Sequence, residues 1–205
     1  MKPLYAVLLD GGFVIKKLQS RLRHFPTAQD VIDECNRIKS RPELDGYELL
    51  RIYFYHAMPP SLTIENPIDG SPVDLSQNNN FRESERLLKS LELQQDFALR
   101  LGETVTRGWR LGTAAMRNIS SAATRPLEPR DLVPNIVQKG VDLRIGLDIA
   151  RLALREQVRV IVVVTGDSDM VPTFKFARRE GVRVYLDHMG HSINRDLKAH
   201  ADLVF

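Results

Sequence analysis

Three aspartates stand just past apolar runs. Leu4–Leu9 ends at Asp10, and Val158–Val164 ends at Thr165-Gly166-Asp167-Ser168-Asp169. Asp142 and Asp148 flank the first turns of the segment that leads into the second run. In a parallel sheet such strand ends share one edge, which is where open α/β sheets bind ligands. Asp10, Asp167 and Asp169 are therefore expected to converge. Carboxylates held close together repel and raise one another's pKa, so either some are protonated or a cation sits among them. An all-oxygen site suits a hard divalent ion such as Mg2+ or Mn2+. Such an ion orients phosphate oxygens, activates water and stabilises a leaving oxygen, which is the chemistry of phosphoester hydrolysis.

Each acid also has a plainer reading. Asp142 suits a helix N-cap. Asp148 suits a surface pair with Arg144 or Arg151. Asp167 and Asp169 suit turn chemistry, although two acids closing a fully buried strand are costly without a partner. Other chemistries lack their residues. The chain has no phosphate-binding Gly-x-x-x-x-Gly-Lys-Ser/Thr loop and no Gly-x-Ser-x-Gly elbow. His56, His188, His191 and His200 show no metal-ligand spacing. Cys35 is the sole cysteine, so neither an internal disulfide nor a cysteine zinc site is expected. A net charge of +3 permits a polyanionic partner without demanding one. Asp10 interrupts the N-terminal apolar run, and no stretch approaches the roughly 20 apolar residues of a membrane span. The expectation is a cytoplasmic protein that does not enter membranes.

The elements that must position these acids are legible from patterning. Val158–Val164 carries five valines and no alternation, as in a strand buried on both faces of a parallel sheet. A helical segment precedes it; a helix over Val171–Arg179 and a strand over Val182–Leu186 follow. This is a βαβ rhythm. Upstream, the pattern predicts a strand at Leu4–Leu9, helices over 13–24 and Ala28–Lys39, and a third strand over Glu48–His56. It then predicts a long surface loop over 61–80, a long amphipathic helix over Phe81–Leu101 with Gly102 as its cap, and a strand over Glu103–Leu111. A short helix over Ile193–His200 and a strand over Ala201–Phe205 close a single domain of residues 1–205. Residues 112–135 read as an insertion. Arg107, Arg110, Arg117, Arg125 and Arg130 face Glu103, Glu128 and Asp131 across this neighbourhood. The segment is either a solvated loop or a basic flap that grips a phosphate backbone.

Three stretches carry a family resemblance: AVLLDGG at 6–12, QKGVDLRIGLDIARLA at 138–153, and VVVTGDSDMVPTFKFARREGVRVYL at 162–186. With the closing segment Leu197–Phe205, they resemble the NYN domain, in the LabA-like branch of the PIN-domain nucleases. The resemblance implies a PIN-like, Rossmann-like sheet, mainly parallel, with helices on both faces. It also implies a pocket for Mg2+ or Mn2+ and endoribonuclease action on RNA. Position by position, the catalytic and metal-binding acids become Asp10, Asp148, Asp167 and Asp169, with Asp142 beside them at the metal. Thr165 and Ser168 would orient these ligands, and Lys139, Arg107, Arg110 and Arg117 would contact RNA. Residue 13 is Phe, where many relatives place Asn, and residues 57–135 match little.

Two rival functions stand beside this one. A haloacid-dehalogenase-like phosphatase also uses strand-end aspartates, but it needs Asp-x-Asp after the first strand, and Gly12 replaces the second Asp. A catalytically weak RNA-binding or regulatory protein would have no need of the full acidic set. The expected reaction is attack by water without a covalent enzyme intermediate, leaving a 5′-phosphate and a 3′-hydroxyl. Oligomeric state is left open, a homo-oligomer included.

Overall fold

The computed structural model describes residues 2–120 and 125–205, without the side chains of 118–120. Its centre is a sheet built from β1 (Leu4–Asp10), β2 (Glu48–Ala57), β5 (Phe97–Leu111), β6 (Leu132–Lys139), β7 (Val160–Val164), β8 (Arg183–Asp187) and β9 (Leu203–Val204). The strand order is β6-β5-β2-β1-β7-β8-β9, and every neighbouring pair is parallel except β5–β6. The four strands expected to form a parallel sheet do so. β1 and β7 lie side by side at the centre, so Asp10 and the loop after Val164 emerge at the same edge.

Helices cover both faces. α1 (Gly11–Leu22), α2 (Ala28–Lys39) and α3 (Asn79–Glu92) pack on the side of Val7, Leu9, Phe54 and Val162. α5 (Val141–Leu154) and α6 (Val171–Arg179) pack on the side of Ala6, Leu8, Tyr55 and Val163, joined by Leu197 of α7 (Arg195–Ala199). Alternate residues of each strand thus feed opposite cores, which is why the strands carry no polar face. Among the described residues no helix is long and apolar enough to cross a membrane.

The middle of the chain departs from the sequence reading. The expected helix over Phe81–Leu101 ends at Glu92, and residues 97–101 open β5 instead. The break falls at Asp96, which takes a positive φ of 65°; Asp tolerates this left-handed turn better than most residues. The expected loop over 61–80 contains a small hairpin of β3 (Thr63–Glu65) and β4 (Pro72–Asp74). The expected insertion contains α4 (Thr113–Ser120) and the first half of β6; its segment 121–124 lies outside the described residues. β5 continues past Gly102, where its pairing with β2 stops, and β6 runs back along this extension. A ribbon about 30 Å long therefore projects from the carboxyl edge of the sheet. It bends at a bulge between Thr106 and Trp109.

Candidate active site

Asp10 closes β1 and caps α1. Its Oδ1 accepts the Phe13 backbone N–H at 3.2 Å, and its Oδ2 accepts the Thr165 hydroxyl at 3.1 Å. Thr165, wholly buried at the end of β7, accepts the Asp167 backbone N–H at 3.1 Å. Asp167 in turn accepts the Asp169 backbone N–H at 2.9 Å and caps the single helical turn at 168–170. One buried hydroxyl thus ties the ends of both central strands and fixes the carboxylates that follow them. The loop is tight. A Cβ on Gly166 would stand 2.7 Å from the Phe13 ring and 2.8 Å from that of His191. These two rings meet edge-on, 5.8 Å between centroids. The Phe at position 13 is thus part of the rim's packing.

The acids sense one another. Burial raises the Asp10 pKa. Hydrogen bonds from Phe13 and Thr165 pull it back, and the charges of Asp142 and Asp167 push it up further, leaving it raised. Asp142, in the first turn of α5, is raised by burial and then by Asp167 and Asp169. Among the described residues, none of Asp10, Asp142, Asp167 and Asp169 forms an ion pair. Ser168 lies exposed on the same turn.

Asp148 is placed differently. It lies about 9 Å along α5 from Asp142, at 1.5 Å per residue. Its Oδ2 accepts the Tyr55 hydroxyl at 2.9 Å and Arg100 Nε at 2.9 Å; Arg151 stands 3.7 Å from its Oδ1. The sequence reading set Asp148 in the pocket with Asp142 beside it. In the structure Asp142 is the α5 acid whose charge reaches Asp10, and Asp148 already holds protein cations.

The basic residues fall on the projecting ribbon and the helix after it. Arg107, Arg110 and Lys139 are exposed and have no ion-pair partner among the described residues, while Arg117 is exposed on α4. Arg125 and Arg130 are occupied. Arg125 grips Asp131 with two bonds of 2.7 and 2.6 Å, and Arg130 pairs with Glu128 at 2.6 Å.

Sequence reasoning missed Asp187, a further strand-end acid with the same signal as Asp10: an apolar strand closing on a carboxylate. It is buried and paired with Arg37, which also holds buried Glu34 at 2.6 Å. It missed His56 as well, which is buried with its Nδ1 unpartnered; nothing in its spacing marked it.

Among the described residues, no group of three or more His, Cys, Asp or Glu side chains is arranged to hold a metal ion. The donor chemistry nevertheless fits a hard divalent cation: oxygen ligands, mutual repulsion, and no protein cation between them. Mg2+ needs only one or two carboxylates and fills the rest of its shell with water and phosphate, which an open rim allows.

No curated protein matches the chain in sequence. Among solved structures it is similar to a protein of unknown function from Vibrio parahaemolyticus, with a TM-score of 0.55 and 14% identity over 99% of this chain and 91% of that one. That likeness concerns the fold. The family model described as "NYN domain" matches residues 101–205, which hold β5 beyond its root, β6, α5, the β7 rim and the closing strands. Together with the parallel sheet and its acidic edge, this match means that the chain belongs to the NYN-domain family, within the PIN-like nuclease superfamily.

Proposed function

We propose that the protein, acting as one unit over residues 1–205, hydrolyses RNA phosphodiester bonds at the rim where β1, β7 and α5 meet, with Mg2+ or Mn2+ as cofactor. One observation carries this reading: Asp10, Asp142, Asp167 and Asp169 share one edge and form no ion pair among the described residues, and Asp10 and Asp142 are both raised in pKa. The divalent ion supplies neutralising charge for phosphate oxygens and a more acidic water. Asp10 with one neighbour among Asp142, Asp167 and Asp169 would hold it, the rest of its shell being left to water and phosphate. Asp148 supports them indirectly, by fixing Tyr55 and Arg100.

The chain's own part is positioning and proton handling. Thr165 and the Phe13 N–H set the Asp10 rotamer, and Thr165 also anchors Asp167, before substrate arrives. Without a cation Asp10 binds a proton more readily than an ordinary surface aspartate, so a bound metal ion would take the place of that proton. The one thiol, Cys35, is buried in α2 with its pKa pushed up to about 12 and is no nucleophile. In the proposed step water attacks phosphorus and the ribose 3′-oxygen leaves, so the products carry a 5′-phosphate and a 3′-hydroxyl. Arg107, Arg110, Arg117 and Lys139 lie along the ribbon and α4, where an RNA backbone reaching the rim would pass.

The test is incubation of mixed RNAs with the protein in Mn2+, in Mg2+ and in EDTA, with Asp167→Asn as control. Metal-dependent cleavage leaving 5′-phosphates is expected. Affinity should fall with salt by a log–log slope of about −0.7 per phosphate contacted. Cyclic 2′,3′-phosphate ends, or full activity in EDTA, would overturn the mechanism.

A further inference from the structure

Beside the acidic rim lies a cleft of about 280 Å3, to which α1 contributes Gly12 and Lys16, β2 His56, α3 Asn80 and β6 Gln138, with Phe25 at one wall. Gly12 joins this cleft to the rim. Its missing Cβ would stand 3.6 Å from Asp10 Oδ1 and 3.9 Å from Gln138 Oε1, so only bare backbone separates the cleft from the acid. His56 is only 6% exposed, and its Nδ1 is buried without a hydrogen-bond partner. A buried polar atom left unpaired is costly, and in a native fold it asks for an explanation.

The polar groups here are of one kind. Burial pushes the His56 pKa down to about 4, so at neutral pH the imidazole is uncharged and offers one donor and one acceptor. The side-chain amides of Asn80 and Gln138 each offer both as well. Lys16, exposed at the mouth, is the one cation among the lining residues. One buried neutral imidazole, two neutral amides at the exposed edge of the cleft, an aromatic wall and a single peripheral ammonium match an uncharged flat ring with a polar edge, joined to a phosphate. Single-stranded RNA is read in this manner, with unstacked bases bonded along their edges and stacked on aromatic faces. The volume lies just below that of small-molecule sites, roughly 300–1,000 Å3, which favours one base over a longer segment.

We infer that this cleft receives the nucleobase next to the scissile phosphate, read by His56, Asn80 and Gln138, with Lys16 on the adjoining phosphate. The inference rests on the ribonuclease reading for its ligand class, and it assigns base preference to residues that the acidic rim does not contain. A second cleft of about 450 Å3 shares Pro59 and Asn80 with this one and leads to Arg110, which gives the strand a path onto the ribbon.

The test uses the full chain in EDTA, titrated with each nucleoside 5′-monophosphate and with inorganic phosphate, while the His56 imidazole and Gln138 amide are followed by NMR. Saturable shifts with at least one nucleotide, and none with phosphate alone, are expected. Gln138→Leu, on an exposed position, should weaken binding about tenfold, the worth of one good hydrogen bond. His56→Leu should do the same, and Gly12→Val should block the cleft. Resonances unmoved by all four nucleotides, equal shifts with phosphate, or unchanged binding by Gln138→Leu would overturn the inference. RNA turnover in Mn2+, measured in parallel, separates the two ideas. Nucleotide binding without cleavage sinks the ribonuclease reading and leaves the cleft. Cleavage without nucleotide binding does the reverse.

Discussion

Asp187 and Asp10 each close a parallel strand of the same sheet, at the same edge, with β7 between them. Asp187 meets Arg37, whose guanidinium also serves Glu34, while Glu34 takes a second cation from Arg21 at 2.8 Å. Burial alone would raise the Glu34 pKa, but hydrogen bonds and charge from Arg37 and Arg21 outweigh it and leave it lowered. Asp10 meets Thr165, a backbone N–H, and two further acids, and its pKa is raised. The fold is the same in the two places, with Asp187 buried and Asp10 half-buried; the source of the cation differs. Where a carboxylate serves the architecture, an arginine from α2 is packed against it. At the rim none is supplied by the described residues' ion pairs, and the neutralising charge is left to protons or solution ions. The same contrast runs along α5, between Asp148 with Arg100 and Arg151 and Asp142 with none.

The largest expected effect breaks the paired side. Arg37→Ala leaves Glu34 and Asp187, 3% and 2% exposed, facing each other's surroundings without their shared cation. Because Arg37 is 36% exposed and Glu34 keeps Arg21, the loss should fall below the roughly 3–5 kcal/mol of a fully buried pair, and urea denaturation should show about 2–3 kcal/mol, the scale of hydrogen bonds to charged groups. Next comes the unpaired side. Asp167→Asn keeps the shape and the Thr165 contact to its backbone but removes a rim charge. Turnover should fall by at least about 100-fold, a few kcal/mol of transition-state stabilisation. The thermal midpoint should stay put or rise, because a repulsive charge has gone. A large loss of stability in Asp167→Asn, or none in Arg37→Ala, would erase the distinction between the two sites.

How much of this was legible beforehand follows the same line. β1, β2, β7 and β8 are buried on both faces, so their apolar runs announced them, and the acids after them came with the runs. β5 was misread because Leu87, Leu88, Leu91, Ala98 and Leu101 keep helical spacing across a break that has neither Gly nor Pro; the turn is made by Asp96. That error hid Arg100 inside a supposed helix. With Arg100 on β5, facing α5, Asp148 has a cation and Asp142 does not; without it, the two acids of α5 cannot be ranked. Likewise, the His56 cleft draws on α1, β2, α3 and β6, and no local pattern brings those together.

A smaller effect sharpens the α5 contrast. Asp148→Ala strands the Tyr55 hydroxyl and Arg100 in a half-buried site, which should cost about 1–3 kcal/mol of folding stability. Turnover per folded molecule should change less than in Asp167→Asn. The opposite pattern, with stability intact and turnover abolished, would move Asp148 into the rim.

The smallest effect is a difference in pH dependence. The folded state raises the Asp10 and Asp142 pKa values above the ordinary 3.8, so it binds their protons more tightly than the unfolded chain does. Their contribution is fully present below that value and is lost as pH rises through the raised folded pKa values. Glu34 behaves oppositely. Its folded pKa lies below the ordinary 4.5, so its contribution is present above 4.5 and lost as pH falls through the lower folded value. Metal-free protein should therefore carry a stability term from the rim that declines with rising pH on the alkaline side of 3.8. Asp10→Asn with Asp142→Asn should remove that decline and leave the acid-side loss from Glu34 in place. Mn2+ should also offset it, since an ion that binds only the folded state replaces the protons. Chemical denaturation at several pH values, in EDTA and in Mn2+, reads all three. A rim whose pH slope is unaffected by both the double substitution and the ion would mean that its acids are neutralised from within, as Asp187 is.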